Sequence, residues 1–256
     1  MDALQLALQA KKVGMRAIVL KSHDYPTAPV AYTVSQMVQD IAVLGSIALD
    51  LEVGGLNIHA LEASAKLGAK VVWMPTFTSS NDMRKTGRDD KEGISIIDAE
   101  GNLLAVVRNI LDIIKSSGMV LATGHISVAE GFVLVDEARR KGLPKVVITH
   151  PLLERLGAHL TLDEQLQMVE KGAFIEHCFA ITLPLQARLD PMKIVKAVRA
   201  VGAEHVVMST DLGQAWNPAP AEGMRMAIAT MLRCGLSEQE IELMIKVNPA
   251  KLLDLD

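Results

Sequence analysis

Helical periodicity that ends at a glycine and passes directly into a short β-branched apolar run recurs along the whole chain. The glycines are Gly14, Gly45, Gly68, Gly118, Gly142, Gly172 and Gly202. The runs after them are MRAIVL, SIALDL, AKVVW, MVLA, LPKVVI, AFIE and AEHVVM. A C-cap glycine handing the chain to a strand buried on both faces produces this pattern. Successive glycines lie 31, 23, 50, 24, 30 and 30 residues apart, and most of these intervals hold one strand and one short helix. Capping boxes are predicted at Thr33 with Gln36, Thr161 with Glu164 and Ser237 with Glu240. In LDPMKIVKAVRAVG, Asp190 is the expected N-cap and Pro191 the first helical residue. Seven apolar strands alternating with helices predict a parallel sheet covered on both faces, either doubly wound or closed into a barrel.

The double-length interval contains NDMRKTGRDDKE, eight charges in twelve residues with no net charge, then ISII and LLAVV joined by DAEGN. Residues 79–107 are therefore expected to form an inserted polar loop and β-hairpin, with the charged part a solvated loop or a mobile lid. No composition shift divides the chain, and 1–256 reads as one domain. With 256 residues, the size suits one (β/α)₈ barrel.

Half of the residues are hydrophobic but only 3% aromatic, so the core must be aliphatic. A net charge of -4 with dispersed basic residues argues against nucleic acid as a partner. Uncharged apolar runs are too short to span a bilayer, and the start of the chain reads as an amphipathic helix from about Asp2, not as a signal peptide. Cys178 and Cys234 form no CxxC or disulfide framework, which suits a cytoplasmic protein.

Ligands of parallel α/β folds bind beyond the C-terminal strand ends. Lys21, His23, Asp50, His125, His150, Glu176, His177 and Asp211 all fall there. Imidazole and carboxylate converging from neighbouring strands suit a borderline divalent cation such as zinc. His125 in ATGHIS, His150 in VITHP and Asp211 in MSTDLGQ form the expected metal set. Lys21 and His23 are expected to bind substrate. Glu176 and His177 must point to opposite sides of their strand, and His177 is the one expected to enter the interior.

The series GHIS, THP and STDLGQ, closed by NPAKLLDL, resembles the later strands of the amidohydrolase superfamily of metal-dependent hydrolases. This resemblance implies a (β/α)₈-type TIM barrel in which His125, His150 and Asp211 end the fifth, sixth and eighth strands. The superfamily's first-strand HxH is not in this sequence, and the fourth strand ends in Trp73-Met74-Pro75-Thr76 without a bridging Lys or Glu. A barrel lacking or truncated at its first strand is the expectation, with one metal ion, zinc first and Mn, Ni or Fe after it. The implied function is hydrolysis of an amide, ester or lactone bond in a small molecule, with Asp211 as general base and His177 polarising the carbonyl. The alternatives are a barrel that binds a ligand without hydrolysis and a metal-assisted decarboxylase or lyase. Unpaired barrel edges imply a homo-oligomer.

Overall fold

The computed structural model describes residues 1–255. Its strands are β1 (Ala17–Val19), β2 (Ala42–Ala48), β3 (Ala69–Trp73), β4 (Val120–Ala122), β5 (Val146–Ile148), β6 (Phe174–Cys178) and β7 (Val206–Ser209). Each is parallel to the next, in the order β1 to β7. The helices open with α1 (Ala3–Lys12), α2 (Ala28–Met37), α3 (Ile58–Lys66), α4 (Ser80–Lys85), α5 (Ala105–Ser116) and α6 (Val128–Arg140). Then come α7 (Leu162–Glu170), α8 (Pro191–Val201), α9 (Pro220–Arg233), α10 (Glu238–Glu242) and α11 (Asn248–Leu253).

Strand side chains divide by parity, because successive Cβ atoms point to opposite faces. Val71 and Trp73, Val120 and Ala122, Val147 and Phe174 pack on one side around Leu252. Val72, Leu121, Ile148, Ile175 and Val206 pack on the other, against the helices. Since Val71, Trp73, Val120, Ala122, Val147 and Leu252 line one shared cavity, the sheet curls around it as in a TIM barrel, with helices outside. The curl ends at β1 and β7, which pair only with β2 and β6 among the described residues. No helix described is long and apolar enough to cross a membrane.

Three local expectations differ from the structure. Gly45 lies inside β2, not ahead of it; a Cβ there would come within 2.4 Å of Ala28 Cα, so the glycine allows α2 to press on the strand. Helix α2 opens at Ala28 with Pro29 in its first turn, which places Thr33 mid-helix, where its hydroxyl donates to Pro29 O. The hairpin reduces to one antiparallel bridge between Ile97 and Leu103, and the AVV of LLAVV opens α5, whose apolar face carries Val107, Ile110, Leu111 and Ile114. The boxes at Thr161 and Ser237 and the Asp190 cap form as expected.

Candidate active site

A cavity of about 660 Å³ lies inside the curl, lined from Met1, Asp2 and Leu6 at the start of α1, along the strands, to the residues that follow β1 and β7. Lys21, His23, His150, Glu176 and Asp211 line it. His125 lies behind, buried against Phe77, whose ring meets it edge-on at 5.5 Å.

Two imidazoles are each anchored by a buried carboxylate. His125 Nδ1 is 2.8 Å from Asp82 Oδ1, on α4, and Arg88 donates to the other oxygen of that carboxylate at 2.7 Å. With its Nδ1 proton spent on Asp82, His125 offers the Nε2 lone pair, which faces His150 Nε2 at 3.1 Å. On the other side, Thr76 Oγ1 donates to Asp50 and therefore accepts from His23 Nδ1 at 2.6 Å, leaving His23 Nε2 free. Asp50, fully buried, also accepts from Thr76 N, Thr78 N and Thr78 Oγ1.

Burial would raise the Asp50 pKa, but the nearby His23 and the hydrogen bonds from Thr76 and Thr78 outweigh it and hold the carboxyl well below its ordinary range. For Asp82 burial wins over the Arg88 charge, and the pKa rises to about 6. Burial pushes His125 and His150 down, so both are neutral donors at pH 7. Two nitrogens each ~2.0–2.1 Å from a tetrahedral ion lie ~3.3 Å apart, and the 3.1 Å separation here is close to that bite. The same 3.1 Å is a hydrogen-bond distance, at which His150 Nε2–H donates to the His125 lone pair. No cluster of three or more His, Cys, Asp or Glu able to hold a metal is gathered among the described residues.

The third expected donor, Asp211, is turned to Lys21, whose Nζ is 3.8 Å from Oδ1. Against the desolvation that would raise it, Lys21 and the neighbouring histidines lower the pKa of the half-buried Asp211. The Lys21 ammonium also lies 5.2 Å over the Trp73 ring. His150 and Asp211 both have positive φ, 25° and 52°, a conformation costly for non-glycine residues and often found at functional sites.

His177, expected to enter the interior, stands on the opposite side of β6. Phe174 faces the interior, so period-2 alternation sends Glu176 and Cys178 inward and His177 outward. His177 is fully buried on the helix side, with both ring nitrogens lacking a hydrogen-bond partner among the described residues. Glu176, on the cavity wall, has its pKa raised by burial.

The charged stretch after β3 begins as the buried turn of α4 and continues as an exposed segment from Arg84 to Asp89. Ser79 caps α4 by accepting from Asp82 N, and Ser79 Oγ and Asn81 Nδ2 both donate to His125 O at 2.9 Å. Lys85 donates to Gly157 O at 2.8 Å. Sequence reasoning missed Asp82, although Ser79-x-x-Asp82 is a helix-start signal. It placed Asp50 at a strand end without giving it a role.

The model of a family of unknown function (DUF6282) matches residues 1–176. The chain belongs to this family. The DUF6282 match takes in His23, Asp50, Asp82, His125 and His150, and stops before Asp211. No curated protein matches the sequence. Among solved structures, this DUF6282 chain is similar to an amidohydrolase from Pseudomonas aeruginosa, at 14% identity over 98% of this chain and 82% of that one, with TM-score 0.61. An organophosphorus hydrolase from Deinococcus radiodurans gives 12% identity, 98% and 82% coverage and TM-score 0.61. A 2,6-dihydroxybenzoate decarboxylase from Rhizobium gives 12% identity, 100% and 89% coverage and TM-score 0.59. These likenesses establish a shared fold.

Proposed function

We propose that this chain is a metal-dependent hydrolase of the amidohydrolase type, acting on an amide, ester or lactone bond in a small molecule. The observation that carries the reading is the facing pair of neutral imidazoles, with His125 locked by Asp82 so that its lone pair meets His150 Nε2. Names of solved structures with this fold, metallo peptidase, amidohydrolase and organophosphorus hydrolase, point the same way. His125, His150 and Asp211 would hold one divalent ion, zinc first by its preference for nitrogen and carboxylate donors. When bound, the ion supplies a Lewis acid and lowers the pKa of water toward neutrality.

The side chains then divide the remaining work. Asp211, kept ionised by its neighbours, accepts the proton of the attacking water and returns it to the leaving group. Lys21 and His23 face the cavity and donate to or orient substrate oxygens, His23 with its ring fixed through Thr76 and Asp50. One observation favours a second reading, a barrel that binds ligand without hydrolysis: the described residues gather two donors and leave Asp211 with Lys21.

Elemental analysis of the purified protein, beside His125→Ala, His150→Ala and Asp211→Ala, separates the two. Near-stoichiometric Zn, Mn, Ni or Fe that falls in the variants supports the hydrolase. Metal absent after incubation with each ion sinks it in favour of binding alone.

A further inference from the structure

Among the histidines, His23 alone combines a fixed ring with a free nitrogen at the cavity. His59, His159 and His205 do not line the cavity, His125 and His150 are buried against each other, and His177 is on the far side of β6. His23 is on the cavity wall, its side chain 28% exposed. Its Nδ1 donates to Thr76 Oγ1 at 2.6 Å, and that hydroxyl donates in turn to Asp50. Phe77 covers one face of the ring, with centroids 3.9 Å apart. Nε2 has no hydrogen-bond partner among the described residues.

The groups behind the ring permit one arrangement of protons. Asp50 is fully buried, kept ionised by its neighbours, and accepts from Thr76 N, Thr78 N and Thr78 Oγ1 besides the Thr76 hydroxyl. A carboxylate has no proton to give, so the buried Thr76 turns its hydrogen to Asp50 and a lone pair to His23. The imidazole proton is thereby held on Nδ1, which leaves Nε2 with the lone pair of a base. The Asp50 carboxylate, 3.8 Å from Nδ1, stabilises the imidazolium formed when Nε2 takes a proton. None of these bonds involves His125, His150 or Asp211, and the His23 and His125 ring centroids are 6.4 Å apart. On the same wall Lys21 stands among Asp24, Glu176 and Asp211, so an uncharged reactant suits it better than an anion.

We propose that His23 is a general base in its own right, positioned by Thr76 and Asp50, and that with it the cavity hydrolyses activated, uncharged esters without a metal ion. Nε2 takes a proton from a water whose oxygen bonds to the carbonyl carbon. The tetrahedral intermediate then breaks its bond to the aryl oxygen, which leaves as a phenolate, and the acid left behind ionises. The proton on Nε2 passes to solvent, which restores the base. This activity goes beyond the metal-dependent reading and does not rest on it.

The test is release of 4-nitrophenolate from 4-nitrophenyl acetate by the full chain, stripped of metal with dipicolinate and checked by elemental analysis. General-base catalysis is worth about 10²–10⁴-fold, so His23→Gln is expected to lower the rate about tenfold or more, to the background of the surface histidines. Thr76→Val breaks the link to Asp50 at nearly constant shape and should lower kcat with KM held, whereas Thr76→Ser keeps the hydroxyl and the rate. Nitrogen-15 NMR of the metal-free parent, which needs no variant, should show His23 protonated on Nδ1, and Thr76→Val should mix the two tautomers. A folded His23→Gln as fast as the parent overturns the proposal. So does an unchanged kcat in Thr76→Val, or a proton found on Nε2 in the neutral parent. Release that vanishes with the metal and returns with zinc removes this activity and leaves the metal-dependent hydrolase standing. Release that depends on His23 in a protein unable to take up metal does the reverse.

Discussion

His177 and Asp82 are opposite cases of a buried titratable group. His177 carries no hydrogen bond, and burial pushes its pKa from 6.5 to about 4. Between those values the unfolded chain takes up a proton that the folded chain refuses, so stability is complete above pH 6.5 and falls as pH drops toward 4. The full loss is of order 3 kcal/mol. Urea unfolding of His177→Leu should show a flatter acid limb than the parent over this window; parallel limbs would exclude His177 as a source of acid sensitivity. Asp82, by contrast, has its charge used twice, by His125 Nδ1 and by Arg88. Asp82→Asn keeps the shape but loses the charge that fixes the His125 tautomer, and metal affinity is expected to drop roughly 10- to 100-fold. Competition with a chromophoric chelator measures it, and an unchanged affinity would mean that His125 is no ligand. Neither residue's role is legible in sequence. Residue type alone favours His177 for the interior, whereas the parity of Phe174 decides its side, and Asp82 is hidden in a charge run that resembles a solvated loop.

Short connections between strand and helix carry the precision of the site. Gly124 joins β4 to His125 with φ of 60°, and a Cβ there would lie 2.2 Å from Met74 O, just past β3. The clash is with backbone, which cannot swing away, and the φ is itself unfavourable for a side chain. Gly124→Ala is expected to cost roughly 2–4 kcal/mol in chemical denaturation and to displace His125 from His150. A variant of parental stability would show that the β3 and β4 ends separate freely. Glu130 of α6 also ties neighbouring segments together, since it completes the Ser127 capping box and accepts from Ser95 Oγ and Ile96 N, pinning the segment before α5. The sequence forecast seven strands and most helices because apolar runs, caps and glycines are local signals. It overestimated the hairpin because LLAVV has strand propensity, while packing of Val107, Ile110 and Ile114 against the core favours the helix.

The packing is not uniform across the fold. Ala7, Ala10, Leu20, Ala31, Val34, Val38, Ile41 and Val43 form a small cluster, separate from the large one between the other strands and helices. Its strand, β1, is three residues long, only partly buried, and paired on one side. The α1–β1–α2 unit should therefore open well below the global unfolding free energy. Hydrogen exchange followed by mass spectrometry is expected to show residues 3–37 exchanging at least tenfold faster than β3, β4 and β5; uniform protection would establish one cooperative unit. Lys21 and His23 belong to this less protected edge, so ligand that reaches Lys21 should slow exchange there first.

The sequence by itself determined the alternation of strand and helix, the aliphatic core and the row of polar residues at the strand ends, because each depends on spacing along the chain. It also singled out His125 and His150. Only the tertiary structure decided which of those residues meet. The curl of the sheet brings His125 and His150 within 3.1 Å, gives His125 its Asp82 partner 43 positions earlier, turns Asp211 to Lys21 and sends His177 to the outer face. Contacts between residues far apart in sequence are fixed by strand parity, curvature and helix docking, and no local pattern records them.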